Sequence, residues 1–416
     1  MSSLDDYVVD HLILLVGTNP LPNYVAARLL AKPQSRIVLV YSKGTLRYRK
    51  ALEQVLRQDY ENFTTVEVEE ANTDNIRNGI WSELQNATGS IGLHYTGGTK
   101  AMAVHAYRAV EQLQDNPQVS NVYFSYLDAQ QLKLWIGGTG LTGQQRPDVA
   151  LKVELTIKDL LRLHDLSDLA QSLRQESIWP NVTRALAQIH SDKKKAGEWR
   201  TWCKDKLRIS KLDNSSSFRK EQELKQLRTD DLPFQVLREA LEKDLEGCSF
   251  PATFEELIAA ARFKRNEHRP FYKADDKMAK WFDGAWLEDY VFTQLQAIAD
   301  DCQIHDYAMN ISPKFSGNET FEFDVAAMRG YQLFALSCTT SDKQGKCKLK
   351  LLEAAIRAEQ MGGAEARVGL VCCSDDPESL QKQLNGLVRE GQVRVFGRKH
   401  LFTLKDELTA WLKGLC

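Results

Sequence analysis

Two sets of residues in this 416-residue chain have types and spacings that could do chemistry. The first is His94-Tyr95-Thr96-Gly97-Gly98-Thr99-Lys100, which follows the short apolar run Ser90–Leu93 and opens into Ala101-Met102-Ala103-Val104. Glycines at a strand-to-helix turn let backbone N–H groups approach an anion, and the helix N-terminus adds partial positive charge, so this segment is suited to phosphate. It is not a Walker A loop, because Lys100 follows Thr99 instead of preceding a Ser or Thr. A tight βα turn with no ligand would use the same residues, and on this segment alone both readings stand. The second set is acidic. Glu288 lies in the amphipathic segment 281–298, and Glu322 and Asp324 sit two residues apart in Phe321-Glu322-Phe323-Asp324-Val325-Ala326. Period two puts Glu322 and Asp324 on one face of a strand. Clustered carboxylates are what a hard cation such as Mg²⁺ or Mn²⁺ requires, and such an ion can activate water for hydrolysis. Taken singly, Glu288 reads as a surface helix acid and Asp324 as a strand-edge charge; taken together, a site is the better account.

The elements that must position these groups follow from the pattern. His11–Val16 is an apolar run that leads into the polar turn Gly17-Thr18-Asn19-Pro20-Leu21-Pro22-Asn23. The spacing then predicts helix 24–31, strand 36–41, helix 43–58, strand 65–68, helix 73–87, the strand before the Thr-Gly-Gly loop, and a hairpin over 122–127 and 132–136. Strands alternating with helices over short connections imply a parallel sheet with right-handed crossovers. In the common doubly wound order the first and fourth strands are neighbours, and ligands collect at their carboxyl ends. One crevice is therefore expected to be lined by Gly17, Thr18, Asn19, Thr96, Gly97, Gly98, Thr99 and Lys100. From Thr156 to about Arg262 the pattern is helical. The remainder predicts helix 281–298, strands 321–326 and 331–340, helix 347–360, strand 367–372, helix 377–389, strand 392–396 and helix 403–412.

The Gly-Thr-Asn-Pro turn paired with Thr-Gly-Gly-Thr-Lys resembles the CARF (CRISPR-associated Rossmann fold) domains, over roughly the first third of the chain. That resemblance implies a two-fold homodimer that binds cyclic oligoadenylates, messengers made by type III CRISPR complexes, with cyclic tetra-adenylate the expected ring. A symmetric dimer suits a symmetric cyclic ligand. The order helix with Glu, strand with Asp, adjacent strand, helix resembles the PD-(D/E)xK restriction-endonuclease-like fold over the last third. Together the two resemblances imply a CARF nuclease that cuts DNA or RNA when the messenger binds. One departure stands out: the family's Glu-x-Lys falls at Ser337-Cys338-Thr339, so both its acid and its base are absent. Either the site is rearranged or the domain only binds. In the rearranged reading Asp324 and Glu288 hold the cation, with Glu322 and the Cys338 backbone carbonyl assisting. Ser337 and Thr339 contact phosphate or water. Lys348 supplies the lost lysine, because it shares the face of Leu351 and Ala355 that packs on the sheet, and Lys350 is second choice.

The expected fold class is thus α/β: a Rossmann-like sensing domain (1–155), a helical connector (156–275) and a restriction-endonuclease-like domain (276–416). Composition sets bounds on this. Net charge is −2, with 43% hydrophobic and 26% charged residues, so nothing global demands nucleic acid. No apolar run reaches the length of a membrane span, and Met1-Ser-Ser-Leu-Asp-Asp is too acidic for a secretory leader. The eight cysteines contain no Cys-x-x-Cys pair. A zinc site or disulfide framework is therefore not expected, and a reducing cytoplasm is the default compartment. Locally, Lys193, Lys194, Lys195, Arg200, Lys204, Lys206, Arg208 and Lys211 interleave with Trp199 and Trp202. This could track a single strand, but a solvated helix face with inward tryptophans is favoured. A second basic run spans Arg262–Arg269. Three rivals remain: a ring nuclease acting on the cyclic ligand through the front domain, a sensor that binds nucleic acid without cutting it, and a generic nucleotide enzyme. The sensor lacks a visible helix-turn-helix, and no Gly-x-Gly-x-x-Gly fingerprint supports dinucleotides.

Overall fold

Apolar runs of five or six residues bounded by polar turns build the first sheet. In a computed structural model of the chain, which describes residues 3–166, 173, 175–210, 216–245, 249–260, 274–311, 322–385 and 391–414, these runs become β1 (Val9–Leu15), β2 (Ala31–Ser42), β3 (Phe63–Val68), β4 (Gly89–His94), β5 (Val119–Asp128) and β6 (Lys133–Gly138). The sheet order is β3-β2-β1-β4-β5-β6, parallel except for the β5–β6 hairpin. Helices α1 (Leu21–Leu30), α2 (Leu46–Leu56), α3 (Thr73–Leu84) and α4 (Lys100–Glu111) form the crossovers. β1 pairs with β2 on one side and β4 on the other, as the doubly wound order predicts, so the turns after β1 and β4 sit side by side. Helices α3 and α4 bury one face of this sheet around Ile76, Ile80, Met102 and Ala106. Its other face shares one continuous core with the carboxyl-terminal domain, from Leu12 and Leu39 through Leu160 to Leu351 and Ala358.

The middle is helical, as the pattern predicts: α5 (Ile157–Leu163), α6 (Pro180–Ser191), α7 (Lys193–Trp202), α8 (Glu221–Lys225), α9 (Gln235–Asp244), α10 (Phe254–Ala260) and α11 (Ala274–Lys280), plus a small ribbon of β7 (Arg208–Ser210) and β8 (Ser216–Phe218). Trp199 and Trp202 are buried and stacked 4.9 Å apart. Their indole N–H groups donate to the backbone carbonyls of Phe282 and Asp231. Several of the surrounding cations are paired, Lys193 with Asp375 and Arg200 with Asp342, both at 2.7 Å, and Arg208 with Asp283. The tryptophans thus serve the core and are not a stacking platform. Lys211 and the run Arg262–Arg269 lie outside the described residues.

The second sheet has order β13-β12-β11-β10-β9, from β9 (Asp306–Ile311), β10 (Phe323–Arg329), β11 (Gln332–Thr339), β12 (Arg367–Cys372) and β13 (Val393–Phe396). β11, β12 and β13 are parallel, whereas β10 runs antiparallel to both neighbours. α13 (Gln344–Gly362) and α14 (Pro377–Asn385) cover the face turned toward the first domain. α12 (Trp286–Gln296) and α15 (Leu404–Leu412) cover the other face together with the helical region. Two expectations change. β10 begins at Phe323, so Glu322 lies just outside the strand and is exposed, whereas Asp324 is buried. The expected helix from 281 begins as a π turn, Trp281–Ala285, before α12 proper, and π turns recur at functional sites.

Candidate active site and ligand crevice

The carboxylate site is assembled by β10, β11, α12 and α13. Continuing the antiparallel register Val325↔Leu336 sets Asp324 opposite Ser337. Ser337 Oγ donates to Asp324 Oδ2 at 3.1 Å, and the Cys338 backbone N–H donates to the same oxygen at 2.5 Å. From α13, Lys350 Nζ donates to that oxygen at 3.2 Å and to the Cys338 carbonyl at 2.9 Å. Three donors converging on one buried oxygen fix the position of the carboxyl group.

Glu288, on the first turn of α12, stands close enough to feel this charge. Its carboxyl is pushed well above the ordinary 4.5, first by burial and then by Asp324 and Glu322, with Lys350 opposing. Lys350 is raised above 10.5: burial works against its charge, but Asp324, Cys338 and Glu288 outweigh that. Burial, with Asp324 and Glu288 nearby, also pushes the Cys338 thiol up, so the thiol is a neutral wall group and the residue acts through its backbone. Thr339 Oγ1 accepts from Ser341 N at 3.2 Å and so shapes the turn after β11.

The structure therefore brings Asp324, Glu288, Ser337 and the Cys338 carbonyl together and leaves Glu322 at the rim. It reverses the order of the lysines. The buried stripe of α13 is Cys347, Leu351, Ala354, Ala355, Ala358, Met361 and Gly362. At about 100° per residue, Lys348 and Lys350 flank this stripe roughly 80° away on opposite sides. The acids lie on the Lys350 side, so Lys350 reaches Asp324 and Lys348 does not take that place. Judging the face from Leu351 and Ala355 alone skewed it toward Lys348. Adding Cys347, Ala354, Ala358 and Met361 recentres it.

In the first domain the two glycine turns touch. A Cβ on Gly97 would lie 2.1 Å from the Leu15 carbonyl oxygen, and one on Gly17 would lie 3.0 Å from Gly98 N, so the close approach requires glycine. Gly98 adopts φ 73°. Thr99 caps α4, accepting from Met102 N at 3.2 Å, and donates to the Glu70 carbonyl. Thr96 Oγ1 accepts from Leu127 N at 2.7 Å, and Asn19 Oδ1 from Leu21 N at 3.0 Å. Asn23, buried beneath, donates to the Leu15 carbonyl. Thr18 and Lys100 are exposed at the mouth. His94 adds no charge, since complete burial lowers its pKa to about 3. The crevice thus offers backbone N–H groups, a helix N-terminus and one lysine, an arrangement suited to an anion.

Among the described residues, no group of three or more His, Cys, Asp or Glu has the form of a metal site, and no helix is long and apolar enough to cross a membrane.

Residues 275–415 match the family model of the Card1-like endonuclease domain. No curated protein matches the sequence. Among solved structures, Can2 from Sulfobacillus thermosulfidooxidans, in complex with cyclic tetra-adenylate, aligns with TM-score 0.63 and 18% identity over 99% of each chain. Protein VC1899 from Vibrio cholerae aligns with TM-score 0.62 and 16% identity, over 97% of this chain and 98% of its own. A type III CRISPR defence DNA nuclease activated by cyclic oligoadenylate reaches only TM-score 0.45 and 15% identity, over 87% of this chain and 45% of its own, too low to bear on the fold. The carboxyl-terminal third thus matches a Card1-like endonuclease domain, and the whole chain shares the mixed α/β fold of Can2.

Proposed function

We propose that this chain is a nuclease switched on by a cyclic oligoadenylate, with the ring bound at the paired glycine turns and phosphodiester hydrolysis at Asp324, Glu288 and Lys350. The convergence of Glu288, Asp324 and Lys350 from α12, β10 and α13 carries this reading. The endonuclease-domain match and the likeness to a protein solved with cyclic tetra-adenylate support it.

The donor set fits a hard cation. The Lys350 ammonium sits between Asp324 Oδ2 and the Cys338 carbonyl, so the fold already gathers oxygens around one positive charge. Asp324, Glu288 and the Cys338 carbonyl would hold Mg²⁺ or Mn²⁺, with water filling the other positions, as is usual for Mg²⁺ on one or two carboxylates. Bound there, the ion would supply an activated water and offset charge on the scissile phosphate. The chain's own groups do the rest. Ser337 and the Cys338 N–H fix the Asp324 oxygen. Lys350 brings a fixed positive charge against the phosphate and can orient water through its third N–H. Glu288, which holds its proton to higher pH than an ordinary carboxyl, gives it up as positive charge arrives. Glu322 at the rim strengthens the negative field, and Thr339 braces the turn after β11.

At the other end, Gly17, Thr18, Asn19 and the Thr96–Lys100 turn present N–H donors and Lys100 to the ring phosphates. Two copies related by a two-fold axis would match the symmetry of a cyclic ligand. DNA and RNA are both candidate substrates. The absence of a Glu-x-Lys pair on β11 keeps a binding-only sensor as the second reading. The test incubates the full chain with Mn²⁺, labelled DNA and RNA, and cyclic tri-, tetra- and hexa-adenylate in turn. Cleavage that needs both Mn²⁺ and one ring, and that disappears in Asp324→Ala without loss of ring affinity, supports the proposal. Ring breakdown without nucleic-acid cleavage selects the ring nuclease. Binding without cleavage of either selects the sensor.

A further inference from the structure

The crevice and the acid site are linked by a single helix. Near its amino end α13 carries Lys350, bonded to Asp324 and the Cys338 carbonyl. Its carboxyl end stops at Gly363, whose φ of 70° and ψ of −165° favour glycine. A Cβ there would come within 2.8 Å of Asn19 Nδ2, the amide of the ligand turn, and within 2.5 Å of Glu365 Oε2. The same Asn19 side chain accepts from Leu21 N, so an amide fixed within the ligand turn lies against the end of α13. Two residues back, His164, buried at the end of α5, bonds the Met361 carbonyl through Nε2 at 2.8 Å. Because that carbonyl can only accept, Nε2 carries the proton; burial lowers the ring's pKa to about 4, so this bond is made by neutral imidazole.

We propose that α13 is a sliding rod: Asn19 and His164 set the position of its carboxyl end, and that position determines whether Lys350 engages Asp324. This rests on the functional reading above and adds the route by which the crevice would act on the acids. From Lys350 to Met361 the helix spans roughly 16 Å. The middle of its buried stripe is alanine, at 354, 355 and 358, so short side chains face the sheet there and offer little resistance to movement along it. Helix shifts at packed interfaces are about 1–2 Å. The Lys350–Asp324 bond is 3.2 Å long, and a shift of about 1 Å is enough to carry it past hydrogen-bonding range. Asn19 and His164 are therefore positioning residues that touch neither acid.

The test is amide hydrogen exchange on the full chain with and without cyclic tetra-adenylate, for native protein, His164→Leu and His164→Gln. Gln places an N–H donor close to the position of Nε2. The proposal expects the ring to alter exchange at the turns 17–19 and 96–100 and also at 344–352 in native protein. In His164→Leu the turns respond, with ring affinity within about twofold, but 344–352 does not, and ring-stimulated cleavage falls at least about fivefold, the low end of allosteric coupling. His164→Gln restores both. A native protein whose turns respond while 344–352 stays unchanged overturns the rod, as does a His164→Leu variant with full stimulation. Should His164→Leu fail to fold, the native exchange pattern decides alone. If the turns themselves do not respond, the ligand reading fails first, and the rod falls with it.

Discussion

The two sites of this molecule are built from opposite materials. The crevice is made almost wholly of backbone: Gly97 sits against the Leu15 carbonyl, Thr96 and Thr99 spend their hydroxyls on the chain itself, and the exposed Lys100 is the one cation the turn brings. The acid site is made of charged side chains from three separate elements, crowded until Glu288 resists ionisation and Lys350 resists losing its proton. A backbone site is pre-formed and tolerant of changes in surrounding charge, but it cannot accept a single added methyl. A side-chain site tolerates shape changes around it but fails when one charge is removed. The first suits recognition, which must not alter its ligand. The second suits chemistry, which needs groups held away from their resting preferences.

The contrast can be tested by breaking each site in its own terms. Asp324→Ala removes the oxygen on which three donors converge, and cleavage is expected to fall roughly 10²–10³-fold or more with ring affinity unchanged, measured by single-turnover assay and calorimetry. Lys350→Ala should lower cleavage by on the order of 10²-fold, whereas Lys348→Ala stays within about threefold; equal losses would restore the order of lysines first read from the sequence. Gly97→Ala should cost about 1–3 kcal/mol of ring affinity by overpacking against Leu15, while Mn²⁺ binding is untouched. Lys100→Ala should weaken the ring by only roughly 2–5-fold, an effect that shrinks as salt is raised.

Glu288 gives the smallest but most diagnostic effect. Its folded pKa lies above the ordinary 4.5. Below that value both folded and unfolded states are protonated and its contribution to stability is complete; as pH rises through the folded value the contribution is lost. Without divalent cation, Glu288→Gln should therefore match the native protein near pH 4 and exceed its melting temperature by about 2–4 °C at pH 8, the shift for about 1 kcal/mol in a domain of this size. Mn²⁺ should close or reverse the gap, because only the native acid can bind it. A variant less stable than native at pH 8 without metal would show that Glu288 is ionised and paired.

How much of this was legible in the sequence divides along the same line. The crevice could be read closely, because glycine pairs at the ends of apolar runs mark backbone sites and the alternation of elements fixes which strands are neighbours. The β1–β4 adjacency follows from that alone. The acid site was legible as a set of residues but not as a geometry. Phe321–Ala326 alternates so regularly that Glu322 reads as a strand residue, yet the strand starts one residue later and leaves Glu322 in solvent. β9 gave little signal, because Asp306 and Asn310 interrupt its apolar positions and Asn310 adopts φ 58°. Lys348 and Lys350 differ only in which side of a buried stripe they occupy, and sequence periodicity does not say on which side a neighbouring strand ends. His164 had no signal at all, since a lone histidine at a helix end has no pattern until its carbonyl partner, 197 residues away, is in place.

The central claim, that the crevice governs the acids, is tested most directly by the cleavage rate of labelled nucleic acid by the full chain in Mn²⁺, with and without cyclic tetra-adenylate. The account predicts a ring-dependent increase of roughly 5–150-fold in native protein, the span of coupling energies of about 1–3 kcal/mol, and none in Asp324→Ala. Equal rates with and without a ring that demonstrably binds would contradict it.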